Sequence, residues 1–205
     1  SPDSIRPLSQ RVHCRSDLQV LDSTIHDYYG MGKAQLDNLN GRKLHNMGFQ
    51  GQGMTIAVLD AGFMNVDKMA AFKNVNIVGT HNFVAGYDAD VYKEMDHGTK
   101  TLSVIAVNQP STFVGSAPKA SFWLLRSEDY LTESSAEEDY WIAAAEFADS
   151  VGVDVISSSL GYHGFDDKSL NYHYSDLNGV TAPISRAASL LASKGIILVN
   201  SAGND

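Results

Sequence analysis

A chain of 205 residues, 43% of them hydrophobic, is long enough to enclose one full-sized core. Its net charge of -9 argues against a nucleic-acid backbone as the main partner, and no apolar run approaches the roughly 20 residues that a membrane-spanning helix needs. The single cysteine, Cys14, cannot close a disulfide within the chain, so a disulfide-stapled scaffold is excluded as well.

Residues 1–28 are polar and without sustained periodicity, and read as an N-terminal extension, a linker or the remnant of a pro-segment. The chain opens on Ser1 with no signal-peptide pattern behind it, as a processed or trimmed chain would. From residue 29 to 205 the pattern tightens into alternating elements. "MTIAVLD" (54–60) and "VNIVGTHNF" (75–83) predict two strands, and a helix begins near His97 with Leu102, Ile105 and Ala106 on one face. "SFWLLR" (121–126) predicts a third strand. A helix follows from Ser135, where Ser135 and Glu138 have the spacing of a capping box and Trp141, Ala145, Ala148 and Val151 recur at helical intervals. "VDVISSSL" (153–160) predicts a fourth strand. A third helix starts at Thr181 as N-cap with Pro183 in its first turn, and ends at Gly195 in the C′ position. "GIILVN" (195–200) is the fifth strand. Most of these runs are apolar on both parities, the pattern of strands buried on both faces of a parallel sheet.

Strands alternating with helices imply an α/β protein: an open, mostly parallel, doubly wound sheet with helices on both faces. In such folds ligands collect at the carboxyl ends of the strands, which directs attention to Asp60, Arg126, Leu160 and Asn200. Asp60 ends a buried strand and must be hydrogen-bonded or paired; taken alone it is as good a turn cap as a catalytic group. A phosphatase using such an Asp wants a second one two residues later, where Gly62 stands. His97, in "DHGTK" (96–100), opens a helix, and an isolated His there is more often a surface residue than a base. In "NSAGND" (200–205) the small residues let a substrate backbone approach, and Asn204 offers an amide donor, although Gly and Asn also dominate ordinary turns. A dinucleotide site fits less well, because "GFQGQG" (48–53) precedes its strand instead of following one.

In this order, "VLDAG" (58–62), "DHGT" (96–99) and "NSAGN" (200–204) resemble the Asp, His and oxyanion-Asn motifs of the subtilisin-like serine proteases, the subtilases. "GFQGQGMTIAVLDAG" (48–62), "GSAPKASFWLLR" (115–126) and "SSSLG" (157–161) carry the likeness further, from about Tyr29 to the last residue. The resemblance implies a serine endopeptidase with a subtilisin-like fold that is incomplete in this chain. It implies Asp60 orienting His97, His97 as general base and then acid, and Asn204 donating to the oxyanion. Ser159, Leu160, Gly161, Ser201, Ala202 and Gly203 would line the primary specificity pocket beside an extended peptide or protein substrate. It also implies an extracellular or periplasmic location.

The chain departs from the family at several points. Ala61 replaces a hydroxyl residue, which removes one hydrogen bond near the Asp; Lys100 replaces a frequent second His; and Leu102-Ser103 replaces a smaller pair. The family's nucleophile lies downstream in a Gly-Thr-Ser motif, and no Gly-Thr-Ser occurs here. The expectation is therefore a C-terminal companion fragment that carries the Ser, with this chain inactive by itself; a binding module that keeps the fold without the chemistry is the rival. Without the family's serine-bearing helix, "IAVL", "IIL" and the His97 helix would expose apolar surface.

Two loops remain. "SEDYLTESSAEED" (127–139) carries six acids and reads as a solvated helix start more readily than as a subsite for basic residues. The loop at 162–179 holds His163, Asp166, Asp167, His173 and Asp176, but its spacing matches no EF-hand, so no metal ligands are assigned. The resemblance leaves room for structural calcium and requires no cofactor for catalysis.

Overall fold

The computed structural model describes residues 28–203. In chain order the elements are α1 (Lys33–Asn38), α2 (Gly41–Asn46), β1 (Thr55–Asp60), β2 (Asn76–Asn82), α3 (His97–Ala106), β3 (Asn108–Gln109) and β4 (Phe113–Val114). They continue with β5 (Ser121–Arg126), α4 (Ala136–Ser150), β6 (Val155–Ser158), α5 (Pro183–Ser193) and β7 (Ile197–Asn200). Five strands form one parallel sheet in the order β2-β5-β1-β6-β7, and β3 and β4 form a small antiparallel pair. This is the α/β architecture expected from the sequence, with helices on both faces.

The strand period of two sorts the core into two layers. Ile56 and Val58 of β1 join Phe122 and Leu124 of β5 beneath Leu102 and Ala106 of α3. Ala57, Leu59 and Leu125 face the other way, against Trp141, Ala144, Ala145 and Ala148 of α4 and Leu191 of α5. Each fully buried aliphatic side chain contributes about 1.5–3 kcal/mol to stability. The central strands are therefore the stiff part of the molecule, and their carboxyl ends are fixed points.

Burial on both faces fails at the sheet's edges. β2 alternates between exposed and half-buried residues, and β7 leaves Ile197 and Val199 more than half exposed, because each of these strands has a neighbour on one side only. The expected uncovering of "IAVL" does not occur: Ala57, Val58 and Leu59 are buried, as is Leu102 of α3. Of "IIL", by contrast, Ile197 is exposed as expected while Ile196 is buried, and Val104 of α3, Val199 of β7 and Leu190 of α5 are exposed as well.

Two helix starts differ from expectation. Ser135 has helical backbone angles and makes no capping hydrogen bond, so no capping box forms with Glu138. Glu137 organises the turn instead, its two carboxylate oxygens accepting the backbone N–H groups of Asp129 (3.0 Å) and Ser134 (3.0 Å). Glu137 and Glu138 are buried, so this helix start is not the solvated one its charge suggested. At α5 the N-cap is Ala182, and Thr181 is held by the Asn178 side chain. Gly195 does occupy the C′ position, with φ +81°.

Candidate active site

β1 ends on Asp60, which is fully buried, and α3 begins on His97, whose side chain remains half exposed. The two meet across the sheet end, with His97 Nδ1 2.7 Å from Asp60 Oδ1. The same oxygen accepts the Ala61 backbone N–H at 2.8 Å, and Oδ2 accepts the Thr101 hydroxyl at 3.0 Å. Three donors thus surround one carboxylate. With Nδ1–H committed to Asp60, the ring's other nitrogen, Nε2, is left with its lone pair free for proton transfer. Burial pushes the Asp60 carboxyl above its usual range, and the bonds from His97, Ala61 and Thr101 pull it back.

The close approach depends on glycine. A Cβ at Gly98 would stand 2.5 Å from the Gly62 carbonyl oxygen and 2.9 Å from Asp60 Cβ, so no other residue lets α3 start this near the end of β1. Thr99 secures the same turn by donating to the Met64 carbonyl at 3.0 Å.

On the other side of β1, the ends of β6 and β7 enclose a cavity of about 530 Å³. Ser159, Leu160 and Gly161 line it together with Ser201, Ala202 and Gly203. All six residues expected at a specificity pocket meet there. The two segments are tied together: Asn200 Nδ2 and Ser201 Oγ both donate to the Leu160 carbonyl, at 3.1 and 3.3 Å, and the Ser201 N–H donates to the Ser158 carbonyl at 3.0 Å. Trp141 backs the cavity, its Nε1 donating to Ser158 Oγ at 3.0 Å. Asn204, the third residue expected to take part in catalysis, lies outside the described residues.

The Subtilase family profile matches residues 51–205, more than half of the sequence. The chain belongs to the subtilase family. It is 26% identical over 185 residues to subtilisin E of Bacillus subtilis, and 25% identical over the same length to subtilisin J of Geobacillus stearothermophilus. Both alignments cover 90% of this chain but 43% of the relative, so the chain spans less than half the length of the curated relatives it matches. The crystal structure of MycP1 with its N-terminal propeptide removed shares the fold, with a TM-score of 0.60 at 24% identity over 83% of this chain and 48% of that one.

Several groups in this subtilase escaped the sequence reading. Thr101 supplies a hydroxyl bond to Asp60, even though Ala61 lacks one; its position four residues after His97, on the same helical face, is the signal that could have revealed it. Lys100 forms an exposed i,i+4 ion pair with Asp96 at 2.9 Å. Beyond β5, Glu128 accepts a bond from the Tyr162 hydroxyl at 3.4 Å, and its carboxyl is pushed up to about 7 by burial and by nearby Glu133 and Asp60. Glu137 is driven up to about 8, again chiefly by burial. In the 162–179 loop, Asp166, Asp167 and Asp176 accept backbone N–H groups from Glu133, Ser169 and His173. Among the described residues no group of three or more His, Cys, Asp or Glu side chains is placed to hold a metal ion.

Proposed function

We propose that the protein is a serine endopeptidase of the subtilisin type, in which this chain supplies Asp60, His97 and the oxyanion donor Asn204. The observation that carries the reading is the 2.7 Å bond between His97 Nδ1 and the buried Asp60 carboxylate, both within the span that the family profile matches. The nucleophilic Ser lies on a part of the protein outside these residues.

In this mechanism His97 Nε2 accepts the proton of the Ser hydroxyl as its oxygen attacks the scissile carbonyl carbon. Asp60 remains ionised, holds Nδ1–H and stabilises the imidazolium that forms. The carbonyl oxygen, now negative, accepts a hydrogen bond from the Asn204 side-chain amide. Collapse of the tetrahedral intermediate breaks the C–N bond, and His97 returns its proton to the departing amine. Water then repeats the sequence to release the acyl group. Of the substrate, one side chain enters the cavity between 159–161 and 201–203, and the backbone runs extended along its rim.

A peptide or protein is the substrate, neither metal nor organic cofactor takes part in the chemistry, and the place of action is extracellular or periplasmic. Among the described residues no helix is long and apolar enough to cross a membrane. A fluorophosphonate probe tests the reading. Covalent labelling of a Ser in the protein, abolished in His97→Ala, is the expected result. A folded protein that takes no label and cleaves no peptide would instead be a binding module on a subtilase scaffold.

A further inference from the structure

β5 places Phe122, Leu124 and Arg126 on the sheet face covered by α3, so a guanidinium occupies the inward position that follows two core side chains. Arg126 is fully buried. A buried cation is costly unless it is paired. Nη2 donates to Glu94 Oε2 at 3.1 Å, and the guanidinium carbon lies 4.0 Å from the centre of the Tyr87 ring. Its Nε and Nη1 have no partner among the described residues.

The register puts this cation in a consequential place. Arg126 is the cross-strand partner of Asp60 in the β1–β5 pair, and both point to the α3 face. A buried carboxylate and a guanidinium with two free donors, on neighbouring strands at the same register, are groups that a low dielectric would draw into an ion pair. Yet the Asp60 oxygens are bonded by His97, Ala61 and Thr101, and Arg126 turns to Glu94. Glu94 is well fixed for that purpose. Its carbonyl oxygen packs where a Cβ of Gly62 would stand, 2.3 Å away, and the next residue, Met95, accepts the Met64 N–H at 2.9 Å. The Tyr87 hydroxyl donates in turn to Asp129, which anchors the ring that Arg126 faces.

We propose that Glu94 is a positioning residue that holds the Arg126 guanidinium against Tyr87 and away from Asp60, so that Asp60 stays committed to His97. This rests on the reading of Asp60 and His97 as the acid–base pair of a protease. With the Glu94 carboxylate replaced by an amide, the fork of Arg126 turns to the Asp60 oxygens, and His97 Nδ1–H loses its acceptor.

The test is proton NMR of the ¹⁵N-histidine-labelled protein, in which the His97 Nδ1–H bonded to Asp60 gives a low-field signal, assigned by its absence in His97→Gln. Glu94→Gln should lose or markedly shift that signal, and Glu94→Gln/Arg126→Met should restore it, because the competitor is gone. Arg126→Met alone should keep it. If the protein hydrolyses peptides, Glu94→Gln should lower kcat by roughly 10–100-fold with KM little changed, as small misplacements of a base do. An unchanged signal in folded Glu94→Gln, or no recovery in a folded double variant, overturns the proposal. Should Glu94→Gln fail to fold, Glu94→Ala takes its place with the same two outcomes, and loss of the signal from folded Arg126→Met also defeats the proposal. A wild-type protein that shows the signal but takes no fluorophosphonate label defeats the protease reading and not this one.

Discussion

At one end of the site, a Cβ on Gly98 would stand 2.5 Å from a backbone carbonyl; at the other, a Cβ on Gly161 would find nothing within 4 Å. The Asp60–His97 pair is built on β1, a central strand buried on both faces, with α3 pressed against its end. The pocket is built between β6 and the edge strand β7, whose Ile197 and Val199 are mostly exposed. Packing therefore fixes the geometry of the Asp60–His97 hydrogen bond, whereas the pocket wall has room to change without disturbing the core. Under the protease reading, chemistry and selectivity would thus sit on neighbouring strands of one sheet.

The largest expected effect tests the crowded end directly. Asp60→Asn keeps the shape of the side chain but loses the acceptor that sets the His97 tautomer, and under the protease reading peptide hydrolysis should fall about 10⁴-fold in kcat. Gly98→Ala should follow: overpacking against the Gly62 carbonyl and Asp60 Cβ should destabilise the protein by about 1–3 kcal/mol in denaturant titrations. A Gly98→Ala protein of unchanged stability would show that the end of β1 can yield, and would remove half of the contrast.

Glu137 sharpens the comparison from outside both regions. Its carboxyl is driven up to about 8, against an ordinary value near 4.5 in the unfolded chain. The native state thus holds the proton more tightly than the unfolded one, so stability is full below about 4.5 and falls as the pH rises through about 8. The loss should reach on the order of 1–4 kcal/mol, the negative charges of neighbouring Glu128 and Glu133 adding to the effect of burial. Gln at 137 keeps one acceptor and loses the charge. Thermal melts should show Glu137→Gln less stable than the wild type at pH 5 but with a flatter decline towards pH 8.5; equal slopes would mean that Glu137 is ionised in the folded protein throughout. Because Glu128, pushed up to about 7, titrates with the same sign, a part of the slope should survive.

The sequence reading was strongest where chemistry and chain continuity coincide. Asp60, His97 and the two triplets at 159–161 and 201–203 each sit within a short motif at a strand end or helix start, and the structure brings them together as two clusters. Asn204 lies outside the described residues. What was illegible is what only the sheet register creates. Arg126 is 66 positions from Asp60 in sequence and reads as a strand-end charge until β1 and β5 are paired. Glu137 looks like one acid among six at a solvated helix start, because the backbone groups it satisfies belong to a turn that local propensity does not define. The edge strands misled for a related reason: β-branched runs report a preference for sheet, not the number of neighbours a strand acquires.

The smallest expected effect lies at the open end. Gly161→Ala adds one methyl group to the pocket rim, and with no atom within 4 Å of it the change in stability should stay within about 0.5 kcal/mol. The same methyl projects from a residue that lines the cavity, where a substrate side chain would have to pass. Under the protease reading, KM for substrates with large side chains should therefore rise while KM for small ones and kcat stay close to wild type, since a pocket contact of this size is worth about 1–3 kcal/mol. If kcat falls for small and large substrates alike, the rim of the pocket and the acid–base pair are mechanically coupled, and β6 is not the boundary between them.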